Sequence, residues 1–438
     1  MKRTAFSIAT GLLALAVVMP AHAKDQPDIT MAINQSPWLN SFVAMVDLYE
    51  EETGNVVNLD VNPFGGLLEK IRNSVRGSEG TYDLVNINSL WLSEIYSGGF
   101  LAPLGEVQEG YALHDGVLSY GATTKWDAAV GSFSPDGALM GVPVNGNVQV
   151  LYYNQVIYDE LGLSVPDTWD DLYANAKKIA EAKGIYGFVP RAARDSIVYN
   201  ITPYIFSHDA AFFRVTGPGQ AAIGLNTTEG LAALKTYLKI SGEDVAPPNP
   251  GAIAQGELIQ LLSTGKAAQA IAVIAAWGAL ENPNESRVVG QMSASLIPAG
   301  PGGTHASSAG HWVAGIPKNV SAERQRAALA FLDWFQSQAL QVQYVEAGGV
   351  PVRGDLAETG LGANNSYRFL GAYSANAANA VMGLPFAAAA EASDAMALHF
   401  NRAVIGEESP EVALNAAAEA LAGILEQNGF TVTRQPDL

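Results

Sequence analysis

The chain is 438 residues long, 48% apolar, and carries a formal charge of −19 with no cysteine. That charge excludes the basic surfaces that neutralise nucleic-acid phosphates or hold an anionic bilayer, and the missing thiols exclude disulfides, thiolate metal sites and a lipid-modified cysteine. The length exceeds what one core usually fills, which predicts two folded domains in a soluble monomer.

Lys2 and Arg3, an apolar run from Ala5 to Met19, and Pro20-Ala21-His22-Ala23 form the three-part pattern of a cleavable secretory leader. The expected product is a periplasmic protein beginning at residue 24, not a lipoprotein. Loss of Lys2 and Arg3 takes the formal charge from −19 to −21. The pattern next alternates between strand and helix periods. Ile29 to Ile33 reads as a strand, Leu39 to Tyr49 as a helix stopped at Gly54, and Asn55 to Val61 as a second strand. Leu67, Leu68, Ile71 and Val75 share a helical face, Tyr82 to Ile87 is a third strand, and Ser89 to Tyr96 is helical. This βαβαβ order predicts parallel strands covered by helices.

A second region begins with the strand Val148 to Tyr153. Thr168 caps a helix with Asp171 closing the capping box, and strand-like and helical segments continue to about Ile297. Pro298 to Ser308 reads as a connection, His311 to Pro317 as a strand, and Ala327 to Phe335 as an amphipathic helix. Ser409 and Pro410 stand as cap and first residue of a final helix from Val412 to Leu425.

Four stretches together resemble the bacterial extracellular solute-binding protein family 1, which includes maltose-binding protein. They are Tyr82-Asp83-Leu84-Val85 with Gly98-Gly99-Phe100-Leu101-Ala102-Pro103-Leu104; Gly141-Val142-Pro143-Val144 running into Leu151-Tyr152-Tyr153-Asn154; Gly265-Lys266-Ala267-Ala268 with Trp277; and Gly315-Ile316-Pro317-Lys318-Asn319 before the Phe331-Leu332 helix. The resemblance implies an α/β, two-lobe periplasmic-binding-protein fold of type II. Residues 24–143 plus 311–353 would form one lobe and 148–308 plus 360–438 the other. Hinge crossings would fall near 144–147, 309–311 and 353–360, and the cleft between the lobes would take the ligand. It further implies the substrate-binding subunit of an ATP-binding-cassette (ABC) importer, whose partners are a small sugar or polyol and the membrane permease.

A polyhydroxy ligand offers hydroxyls that donate and accept and C–H faces that are apolar, so its site combines aromatic rings with amides or charges. Asn34, Ser36, Trp38 and Asn40 follow the first strand, although a Trp before a helix also serves as a staple. Asn86, Asn88 and Trp91 end the third strand; Trp91 matches a ligand-side position of the family, while Asn86 equally suits a backbone-satisfying role. Asn145, Gly146 and Asn147 occupy the first crossing. There the glycine would supply backbone rotation, and relatives place a ligand-binding polar residue at Asn147. Arg191 and Arg194 stand out in a base-poor chain, as ligand forks or as surface ion pairs. The family places a stacking aromatic near Trp277, although the spacing from Lys266 is longer than its pattern. His311, Trp312 and Arg353 complete the expected ligand-binding set.

Enzymatic machinery is not legible. The histidines show no zinc spacing, no EF-hand or phosphate loop appears, and Ser263-Thr264-Gly265-Lys266 lacks the companion motifs of penicillin-binding enzymes. No catalytic residue, metal or cofactor is expected. A periplasmic carbohydrate-active enzyme, and a binder of a polyamine or sugar acid, are the alternatives.

Overall fold

The computed structural model describes residues 24–438, so the expected leader and its cleavage point lie outside the described residues. The βαβαβ start is present. Strand Ile29–Asn34 pairs in parallel with Val57–Asn62 on one side and Leu84–Asn88 on the other. The helix Leu39–Thr53 ends where Gly54 takes the left-handed conformation (φ 73°) and its N–H donates to the Glu50 carbonyl at 2.8 Å.

The main sheet has five strands, ordered Val57–Asn62, Ile29–Asn34, Leu84–Asn88, Trp312–Gly315 and Gly141–Asn145. Trp312–Gly315 arrives from the far part of the sequence and runs antiparallel between its neighbours, with Trp312 opposite both Asn88 and Asn145. It is shorter than the expected His311 to Pro317 strand, because Leu101 meets Pro317 only as an isolated bridge and His311 lies before the pairing begins. This register brings the last residues Asn34, Asn88 and Asn145 and the first residue Trp312 to one sheet edge, the carboxyl edge where open α/β sheets bind ligands.

A second sheet places Gln149–Asn154 between Gln269–Val273 and Met292–Ser295, both antiparallel to it. All six residues of this central strand are buried, which accounts for its unbroken apolar run. Near it, the helix Trp169–Lys183 opens with the expected reciprocal cap between Thr168 and Asp171, and Ser409 caps the helix Pro410–Gln427. The Pro298 to Ser308 connection ends in a two-residue strand, Ser307–Ser308, paired with Ala380–Val381.

Separate apolar cores accompany these sheets. One gathers residues from 29–144 and 312–352 around the main sheet. Another gathers residues from 151–297 and 384–425, and a third packs 148–292 against 345–377. Adjacent chain segments join them: Val148 bridges Ala309, and Gly310 N–H donates to the Asn147 carbonyl at 2.9 Å.

Gly146 sits in that junction for a reason other than the expected one. Its φ lies outside the left-handed region. A Cβ there would come within 2.0 Å of the Pro351 carbonyl, 2.2 Å of the Tyr373 hydroxyl and 2.3 Å of the Tyr120 hydroxyl. Close packing, rather than backbone freedom, demands the glycine. Tyr373 donates to the Pro351 carbonyl at 2.6 Å, so its single proton is used and Tyr120 donates to Tyr373 at 2.7 Å.

Candidate functional site

A cavity of about 510 Å³ opens between the carboxyl edge of the main sheet and the segments that follow the second sheet. Its two walls differ in chemistry. The sheet-edge wall is aromatic. Trp312 is held edge-on by Trp91 (ring centroids 5.6 Å apart, planes at 90°) and by Phe64 (6.0 Å, 89°), with Trp38 tilted beside it at 6.2 Å. These are the edge-to-face arrangements that ring quadrupoles favour. Trp312 keeps only 4% of its surface in solvent, whereas Phe64, first residue of the helix Phe64–Arg76, keeps 47% and presents the most open ring.

Amides flank the rings. Asn34 donates its side-chain NH₂ to Ser36, and its buried Oδ1 has no protein partner. The Asn88 Oδ1 accepts from Leu90 N–H at 3.1 Å, capping the turn that follows the strand and fixing the side chain at the cavity.

The opposite wall is polar. It comes from the loop before the helix Ile197–Ser207 and from the helix's first turns, with Arg191, Asp195, Ser196, Tyr199 and Thr202 lining the cavity. Tyr199 is anchored twice: its hydroxyl donates to the Ser308 carbonyl at 3.3 Å, and its carbonyl accepts from the Ser308 hydroxyl at 2.6 Å. Gly310 leaves room for the ring, since a Cβ there would lie 2.4 Å from the Tyr199 hydroxyl. The Arg191 Nε is buried without a partner. Burial pulls this guanidinium below its ordinary pKa, against the opposing pull of Tyr199, Asp195 and Tyr237. At the junction, Asn147 accepts from Ala275 N–H at 3.3 Å and lines the cavity between the walls.

Residues 34–342 match the family model described as bacterial extracellular solute-binding protein. The chain belongs to this family.

Among relatives of this solute-binding protein, a binding protein of Brucella abortus is 24% identical over 436 residues, covering 95% of this chain and 98% of the relative. T. maritima MalE3 with maltose bound superposes with a TM-score of 0.75 at 22% identity, covering 91% of this chain and 99% of that one. An ABC transporter solute-binding protein from Agrobacterium radiobacter K84 in complex with ribitol gives 0.74 at 21%, covering 92% and 99%. The fold is therefore the two-lobe α/β architecture of these structures.

The residues singled out from sequence separate into two groups. Asn34, Trp38, Asn88, Asn147, Arg191 and Trp312 line the cavity together. Trp91, Trp277, His311 and Arg353 do not. Trp91 stands behind Trp312 and Phe64 as their support. Trp277 is sealed in the third core: its Nε1–H donates to the Ser366 carbonyl at 3.0 Å, Arg368 lies 4.5 Å over its ring, and Phe369 packs at 5.1 Å.

His311 is fully buried, stacked on Tyr120 at 4.5 Å and bonded through Nε2 to the Thr123 hydroxyl at 2.6 Å. Burial holds its pKa down to about 3, so the ring is neutral at physiological pH. Arg353 pairs with Asp355 at 2.6 Å and donates to the Gln336 carbonyl at 2.9 Å, tying chain segments together away from the ligand space. Arg194 makes a long surface contact with Asp394 at 3.4 Å.

Among the lining residues that sequence reasoning missed are Phe64, Asp195, Thr202 and the segment 381–384. For Phe64 a signal was present. Asn62-Pro63-Phe64-Gly65-Gly66 sets a lone aromatic beside two glycines just after a strand end, at the exposed first turn of the helical face that Leu67, Leu68, Ile71 and Val75 continue into the core.

Proposed function

We propose that this chain is the periplasmic substrate-binding subunit of an ABC importer, capturing a sugar or polyol between its lobes and delivering it to the membrane permease. One observation carries this reading: a single cavity sets the rings of Trp312, Trp38 and Phe64 against the hydroxyl, amide and guanidinium groups of Tyr199, Thr202, Asn147 and Arg191. Such a pair of walls matches a molecule with apolar C–H faces and a rim of hydroxyls. The ribitol and maltose held by the two structural neighbours support the same chemical class.

The lobes are assigned as residues 24–143 with 311–353, and 148–308 with 360–438, hinged near 144–147, 309–311 and 353–360. The first and second apolar cores support this assignment, while the third packs Tyr120, Val345 and Val350 of the first lobe against the second and so marks where the two meet. Ligand groups gripped from both sides are satisfied together only when the lobes are shut, so binding draws the population toward the closed form. The permease then meets a shut, loaded protein. Glycoside hydrolysis takes two carboxyl groups, and Asp195 is the one carboxylate among the residues lining the cavity, which favours capture over turnover.

The deciding experiment is calorimetric titration of the purified protein with mono- and disaccharides and linear polyols, each mixture then analysed for products. Saturable binding with the ligand recovered intact is expected. Product formation, or the absence of binding across the panel, would overturn the proposal.

A further inference from the structure

Arg191 and Asp195 are the two charged side chains among the residues lining the cavity. They feel each other's charge yet form no salt bridge, their nitrogens and oxygens standing more than 4.0 Å apart. The Asp195 Oδ1 accepts from the Ser196 hydroxyl at 2.8 Å. Arg191 makes no side-chain hydrogen bond among the described residues, and its Nε is buried. Both groups line the cavity with bonding capacity to spare, Arg191 half-buried and Asp195 exposed to solvent.

A second positive influence lies on the same wall. The helix Ile197–Ser207 begins here, and Ser196 at its N-cap makes no side-chain capping bond, so the first backbone N–H groups add partial positive charge. Arg191 and this helix start alone would make an anion site. Asp195, one residue ahead of the cap, offsets them.

We infer that Arg191 and Asp195 act as a charge-neutral bracket that admits uncharged polyhydroxy ligands and turns away sugar acids and amino sugars, an inference that rests on the polyhydroxy reading above. A hydroxyl accepts from the guanidinium and donates to the carboxylate at once, and the two bonds polarise one another favourably. A carboxylate can only accept and meets like charge at Asp195. An ammonium can only donate and meets like charge at Arg191. The pair thus recognises the one functional group able to face both ways.

Glucitol, gluconate and glucamine share a six-carbon skeleton and differ at one end as alcohol, carboxylate and ammonium, so titration calorimetry with the three reads the bracket directly. The wild type is expected to bind glucitol about tenfold or more tighter than either charged analogue. Asp195→Asn should raise gluconate affinity relative to glucitol by about tenfold, and Arg191→Gln should do the same for glucamine. Cooperative thermal unfolding and wild-type circular dichroism establish that both variants are folded. Wild-type preference for gluconate or glucamine, or ratios that neither variant moves by more than about twofold, would overturn the bracket while leaving polyhydroxy capture intact. Failure of all three compounds and of the wider sugar panel would instead overturn the polyhydroxy reading, and the bracket with it.

Discussion

One wall of the cleft is made of rings locked into a sheet edge; the other is made of polar side chains carried by a loop and a helix start. On the ring side, Trp312 is fixed by strand pairing on both flanks and by three aromatic neighbours. On the polar side, Arg191 stands in the wall with no bonding partner for its side chain among the described residues. The contrast is one of commitment: the rings are fixed by folding contacts on every side, whereas the guanidinium of the opposite wall is left with bonding capacity that the fold itself does not use.

The strongest way to break this contrast is Trp312→Ala. It removes a buried ring from the cluster with Trp38, Trp91 and Phe64, so unfolding free energy in denaturant titrations should fall by about 3–5 kcal/mol. Ligand affinity should fall with it, and Trp312→Phe should restore most of both. On the polar wall the two effects should part company. Arg191→Met removes a largely buried, unpaired cation, so the empty protein should melt at the same temperature or higher while ligand affinity drops by about 10- to 100-fold. Parallel losses of stability and affinity at Arg191 would erase the distinction between the walls.

Acid sharpens the contrast from behind the ring wall. His311 has its pKa held to about 3 against an ordinary 6.5, so the unfolded chain takes up a proton that the folded chain refuses. Its stabilising contribution is whole above pH 6.5 and declines as pH falls toward 3, by about 1.4 kcal/mol per pH unit. His208 is also depressed by burial, so the slope due to His311 is the part that His311→Gln removes from the pH dependence of unfolding. The smallest effect is expected at Trp277→Phe. Loss of the bond to Ser366 should cost about 1 kcal/mol of stability and leave ligand affinity within about twofold, which calorimetry on the same samples checks.

Much of the architecture was legible because local signals agree with it. The Thr168–Asp171 capping box, the Ser409-Pro410 helix start and the alternating strand and helix periods each announce an element without reference to the rest of the chain. Trp312 was legible for a related reason: it opens a strand straight after a Gly-Pro-rich connection. Trp277 was not, because the direction of its ring is decided by the turn after Gln269–Val273 and by Arg368 and Phe369, far along the sequence. The same limit hid residues 381–384, which reach the cavity only through the pairing of Ser307–Ser308 with Ala380–Val381. Asp195 was overlooked among many acids, since nothing local distinguishes a carboxylate beside a cavity from one on a wet surface.

The crowding at Gly146 has a mechanical consequence. Where even a methyl group has no space, neighbouring strands cannot shear past one another without breaking the tyrosine relay to Pro351. Under the proposed hinge, a joint this tight is expected to act as a bearing with no play, swinging about a fixed axis and bringing the ring wall and the polar wall back to the same opposing positions.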